Sequence, residues 1–186
     1  MLKKLLLLLI IILCNVKLYS FDIIDKFPDA AVITLPVIAI IDTTEITENA
    51  ASEVAYSVGF SLLVNTSLGA LVHSYYDEWD VSPSGSDFSF ASNYAGVVFA
   101  TATYIHIKKN SIYYDLGYYG IAATTGFARY YKEHSNIRDV VVGGAVGVLS
   151  AYLFTEANSR LLRYYGFSVM PNISRNQYGF SIYKRV

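Results

Sequence analysis

Phe88 to Ile107 reads FSFASNYAGVVFATATYIHI, an uncharged run between Asp87 on one side and Lys108, Lys109 and Asn110 on the other. A helix rises about 1.5 Å per residue, so a run of this length extends about 30 Å, the thickness of a bilayer's hydrocarbon core. Near-continuous apolarity over that distance argues for a buried or membrane helix and against a strand. Ser86 and Asp87 mark its expected start. Four other stretches share its character. Ala30 to Ile41 is short and holds Pro36, which predicts a kinked or partly inserted segment. Ala51 to Val72 follows Thr47 and Glu48, which can cap it. Ile112 to Tyr131 comes next, and a last stretch begins beside Asp139, continues to Thr155 and turns polar through Arg163. The expected fold is all-α, a membrane bundle of about five helices.

Composition agrees with that class. The 186 residues are 54% hydrophobic and only 16% charged, with a mean hydropathy of +0.38, which suits a chain with lipid-facing surface. A formal net charge of -1 provides no basic field for a phosphate backbone, so nucleic acid is excluded as a partner.

The first twenty residues have the form of a secretory leader. Lys3 and Lys4 precede an apolar run from Leu5 to Cys14, then polar and small residues up to Ser20. The run is too short to span the hydrocarbon, so residues 1–20 are expected to be removed, leaving 21–186 as one domain. Cys14, the single cysteine, falls inside the leader, and bulky Leu13 disfavours a lipoprotein anchor there. The expected mature protein has no disulfide, thiolate nucleophile or cysteine metal site.

Beyond Tyr165 the period changes. Phe167, Val169, Ile173, Tyr178, Phe180, Ile182 and Tyr183, around Ser174-Arg175-Asn176-Gln177, predict a short hairpin appended to the bundle. Tyrosines occur in pairs, at 75–76, 113–114, 118–119, 130–131 and 164–165, several at predicted helix ends, where interfacial belts and core packing both use them. Gly143 and Gly147 form a GxxxG spacing that permits close helix approach. Threading from an exterior Phe21 places Tyr75 to Asp87 and Tyr130 to Arg138 on one side, outside, and Lys108, Lys109, Arg160 and Arg163 inside.

Those two exterior segments carry the functional reading. The first is Ser82-Pro83-Ser84-Gly85-Ser86-Asp87-Phe88-Ser89-Phe90-Ala91, and the second runs Ala128-Arg129-Tyr130-Tyr131-Lys132-Glu133-His134-Ser135-Asn136-Ile137-Arg138-Asp139-Val140-Val141-Val142-Gly143. Together, in this order and one helix apart, they resemble the second and third motifs of the type 2 phosphatidic acid phosphatase and vanadium haloperoxidase superfamily. Those motifs are Pro-Ser-Gly-His, and Ser-Arg, five residues, His, three residues, Asp. Arg129, Asp139, Val140 and Gly143 stand in register. The first family motif, Lys, six residues, Arg-Pro, aligns on Gly69, Tyr76 and Asp77 with none of its identities kept.

The resemblance implies phosphomonoester hydrolysis through a phosphohistidine, with a second histidine as acid and a clamp of three cations. In this chain Ser135 occupies the nucleophile slot and Ser86 the acid slot, and the clamp is reduced to Arg129. A serine hydroxyl is a weak nucleophile without a base and no acid near neutral pH. Asp87 adds repulsion toward a phosphate. The expectation is a catalytically inactive relative in the cell membrane, binding a lipid-phosphate headgroup through Ser84, Gly85 and Arg129 or serving as a structural or protein-partner subunit. The alternative is an active lipid phosphatase using His134, adjacent to the nucleophile slot, or an atypical serine. A third reading makes the motif likeness accidental. Arg129 and Asp139 also allow a structural ion pair between the last two helices. No cofactor is implied, and His73 and His106 lack metal-ligand spacing.

Overall fold

A computed structural model describes residues 23–47, 50–75, 90–157, 167–174 and 177–184. The described part is mostly helical. Helices α1 (Ile23–Thr43), α2 (Ala50–Tyr75), α3 (Asn93–Lys109), α4 (Ile112–Tyr131) and α5 (Ile137–Ala151) follow in order, and α5 widens into a π-helical segment, Tyr152–Ala157. Strands β1 (Phe167–Ser174) and β2 (Gln177–Lys184) pair antiparallel, from Phe167 opposite Lys184 to Ser174 opposite Gln177. The leader, the Pro-Ser-Gly segment and the polar continuation toward Arg163 lie outside the described residues.

Helix α3 is the axis of the bundle. Its residues from Ala95 to Ile105, Phe99 excepted, are all buried, enclosed by the other four helices. Side-chain bonds fix the direction of each neighbour. Tyr94 at the start of α3 donates to Asp29 Oδ1 near the start of α1 (2.7 Å), and Tyr104 near its end meets Thr43 Oγ1 (3.0 Å), so α1 and α3 are parallel. Lys108 reaches Glu53 on α2 (2.8 Å), and His106 Nδ1 reaches Asp115 on α4 (2.9 Å), so α2 and α4 run opposite to α3. The backbone N–H of Ser92, the N-cap of α3, donates to the carbonyl of Asp139 in the first turn of α5 (2.8 Å). The end of α2, the start of α3, the end of α4 and the start of α5 therefore meet at one end of the bundle.

Small residues make this packing possible. A Cβ placed on Gly147 would collide with the Gly96 carbonyl and lie 2.9 Å from Ala100 N, and one on Gly143 would lie 2.8 Å from Ser92 N. Gly96 is itself enclosed by Ser61 and Asn65 of α2. The GxxxG spacing thus faces a second small stripe on α3, Ser92, Gly96 and Ala100, and the two backbones touch.

Two sequence expectations change. The segment with Pro36 is not a short fragment: α1 runs unbroken from Ile23 through Pro28 and Pro36 to Thr43. Packing against α3 and α4, with the Asp29, Asp42 and Thr43 side chains bonded to three tyrosines, holds the helix across the donors that proline removes. Helix α3 begins at Asn93, not after Ser86 and Asp87. Ala91 takes a left-handed conformation (φ 63°), which ends any helix there, and the Ser92 hydroxyl caps the new one at Ala95 N (3.4 Å).

Substituting Gly147 by Ala should lower the apparent unfolding temperature in detergent by about 6 °C or more, since neither backbone in contact can yield. Gly120→Ala is the control. Its Cβ meets nothing within 4 Å, and it should be neutral or up to about 1 kcal/mol stabilising.

Candidate functional site

The α4–α5 connection is organised by Arg129, which contributes both its main chain and its side chain. Helix α4 ends in a Schellman closure. Glu133 adopts a left-handed conformation (φ 57°), its N–H donates to Tyr130 O (3.0 Å), and the N–H of His134 donates to Arg129 O (3.0 Å). Ser135 N–H adds a second bond to the same carbonyl (3.2 Å). This fixes which way each loop residue points: His134 is exposed, whereas Ser135 is 2% exposed. Ser135 therefore faces inward and the neighbouring His134 faces out.

Asp139, fully buried, is occupied by local bonds. Its Oδ2 accepts from Asn136 N–H (3.0 Å), capping α5, and its Oδ1 accepts from Arg138 Nε (3.2 Å). A carboxylate in the first turn also satisfies the positive end of the helix dipole. The anticipated Arg129–Asp139 ion pair is not made. The adjacent Arg138 takes the carboxylate instead, with its guanidinium 5.4 Å from the Phe90 ring.

Arg129 is placed differently. Its guanidinium lies over the Tyr94 ring, 4.2 Å from the centroid, and Tyr94 is oriented from behind by its bond to Asp29. Nη2 makes one long bond to His134 O (3.5 Å), and Nε is buried with no hydrogen-bond partner. Among the described residues no carboxylate lies within ion-pair distance of it, although Asp29, behind Tyr94, adds a more distant attraction to its charge. A guanidinium carries five donors in a rigid fork matched to phosphate and carboxylate, and here most of that capacity is unused.

Set against known protein families, curated proteins and solved structures, the chain matches none of them. The site therefore rests on its own geometry. Of the residues singled out in the sequence, His134 and Ser135 lie in the α4–α5 loop, Arg129 and Asp139 flank it in the last turn of α4 and the first turn of α5, and Ser92, six residues beyond Ser86, is bonded to Asp139. Ser84, Gly85 and Ser86 lie outside the described residues.

Nothing local singles out Tyr94, one tyrosine of seventeen. An aromatic near the start of a long apolar run, able to meet a motif arginine, is the one signal that could have drawn attention to it. His106 sits at the opposite end of the bundle, paired with Asp115, and among the described residues no group of three potential metal ligands occurs.

Glu133 pays for its left-handed backbone with steric strain that glycine lacks. Glu133→Gly should raise the unfolding temperature by about 2–4 °C, and Glu133→Val should lower it, as read by a thermal melt. Asp139→Ala should cost about 3 kcal/mol, because it uncaps α5 and strands Arg138 beside a buried site.

Proposed function

We propose that this chain is an integral membrane protein of the cell envelope, resembling the type 2 phosphatidic acid phosphatases in its bundle, that holds an anionic lipid headgroup at Arg129 without hydrolysing it. A C-terminal hairpin completes the domain, and the Arg129 loop faces the extracytoplasmic side. The observation that carries the reading is the Arg129 guanidinium, half-buried on Tyr94, with an unpartnered Nε and no carboxylate within ion-pair distance among the described residues. Burying a cation without a partner costs several kcal/mol, and a bound phosphate would offset that cost with charge-assisted bonds.

The membrane part is supported by helices whose buried faces are small and polar while their outer faces are apolar. Helix α2 buries Ser57, Ser61, Asn65 and Gly69 and exposes Leu62, Leu63 and Leu71. Helix α5 buries Asp139, Gly143, Gly144 and Gly147 and exposes Ile137, Val141 and Leu149. A water-soluble helix has the opposite arrangement. Ala50–Tyr75 and Ile137–Thr155 are long and apolar enough to cross a bilayer, and only 28% and 33% of their apolar windows are buried, unlike the core helix of a soluble protein. The exposed Tyr75, Tyr113, Tyr130 and Tyr131 lie at helix ends, where an aromatic ring serves both phases.

The absence of hydrolysis follows from the loop. Phosphoryl transfer needs a positioned nucleophile, a base or orienting partner and an acid for the leaving oxygen. Ser135 is buried, Asp139 is consumed by the α5 cap and Arg138, and His134 points outward.

The purified protein in neutral detergent should release no phosphate above background from phosphatidate or isoprenyl phosphates. Its affinity for phosphatidate should fall at least about tenfold in Arg129→Gln, the loss of charge-assisted bonds. Phosphate release that disappears in both Arg129→Gln and His134→Ala would instead establish an active phosphatase using His134.

A further inference from the structure

Beside the Arg129 loop, α5 and α3 enclose an open cleft of about 280 Å³ lined by Phe99, Val140, Val141, Gly144, Ala145 and Val148. Phe99 forms its floor. Gly144 keeps it open on that side, since a Cβ there would sit 3.1 Å from the Phe99 ring. The cleft follows α5 from its first turn, at Val140, to Val148, a distance of about 12 Å at the helical rise.

Its position relative to Arg129 is set by one contact. Val140 packs on Gly126 of α4, where a Cβ would come within 2.7 Å of Val140 Cγ1. Gly126 is three residues before Arg129 and lies on the same helical face. The upper end of the cleft therefore adjoins the α4 turn that carries the unpartnered guanidinium.

We propose that this cleft holds one hydrocarbon chain of an anionic phospholipid whose phosphate rests on Arg129, so that tail and headgroup are read together. The inference rests on the headgroup reading of Arg129 and extends it to a tail. Side chains lining the cleft are aliphatic or aromatic and offer no hydrogen-bonding group, which excludes a sugar, a nucleotide or a peptide backbone, each of which would leave polar atoms buried and unpaired. A hydrocarbon chain needs no such partner, and the adjoining cation selects a lipid with a negative headgroup over a neutral one. The volume is at the small end of ligand sites, suited to part of a single chain.

The test uses the full chain purified in neutral detergent, with native mass spectrometry counting bound phosphatidate and diacylglycerol, and inorganic phosphate as competitor. Ala145 is exposed in the cleft, so Ala145→Trp fills it without entering the core, and Ala145→Phe repeats the test with a smaller ring. Both variants should bind phosphatidate at least roughly tenfold more weakly while competition by inorganic phosphate is unchanged, and diacylglycerol should bind more weakly than phosphatidate throughout. Phosphatidate binding unaffected by either ring but weakened by Arg129→Gln would overturn the cleft assignment and leave the headgroup reading in place. Wild-type protein that binds no phosphatidate would overturn both, and diacylglycerol binding as tightly as phosphatidate would overturn the coupling of tail to phosphate.

Discussion

The contact between the backbones of α3 and α5, at Ser92, Gly96 and Ala100 against Gly143 and Gly147, is the constraint on which the rest of the molecule depends. Only where neither helix carries a side chain larger than a methyl or hydroxymethyl group can the two approach until the carbonyl of one meets the Cα of the other. That separation brings Ser92 N–H to Asp139 O and joins the start of α3 to the start of α5. Without it the loop after α4 would have no fixed neighbour. With it, Tyr94, the second residue of α3, comes beneath Arg129 at the end of α4, and Phe99, more than a turn further on, becomes the floor of the cleft beside α5.

The two ends of the bundle treat charge differently. At the end formed by Thr43, Glu53 and Lys108, each ionisable group named has a partner: Lys108 with Glu53, His106 with Asp115, Asp42 with the hydroxyl of Tyr118. Ionisable groups partly withdrawn from water are expected to be paired in this way. At the other end Asp139 is paired with Arg138, but Arg129 rests on a ring and a distant carbonyl. A cation–π contact of about 1–2 kcal/mol and the more distant charge of Asp29 offset part of the cost of half-burying the guanidinium, and the buried Nε is still left without an acceptor.

Much of this was legible in the sequence, and the omissions have physical causes. The extents of α2 and α4 follow from apolar length, and the GxxxG spacing pointed to a close crossing. The start of α3 was misplaced because Ser86-Asp87 has the composition of a helix cap. What moves the start to Asn93 is a left-handed Ala91 and a bond from Ser92 to a residue 47 positions away, neither encoded locally. Pro36 suggested an interruption because the tyrosines that brace α1 lie on other helices. The Arg129–Asp139 pair was plausible from charge and motif order, yet a carboxylate at the third position of a helix is claimed first by its own cap, and Arg138 is the nearer cation. Tyr94 had no local signature, because its importance comes from the two helices it connects.

The loop between α4 and α5 also holds His134 in its outward position. Moving His134 into the inward position by one residue would break two bonds to the Arg129 carbonyl and the Glu133 bond to Tyr130, and would push Ser135 toward the cap that holds Asp139. Each lost bond to a buried carbonyl costs about 1–3 kcal/mol. Against this stands at most a weak gain, since the aspartate that would orient an inward histidine is already bound to Asn136 and Arg138. A register shift is therefore uphill on both counts. The same bonds that hold His134 outward close the end of α4 on the Arg129 carbonyl, and the Arg129 side chain leaves that closed turn to lie over Tyr94.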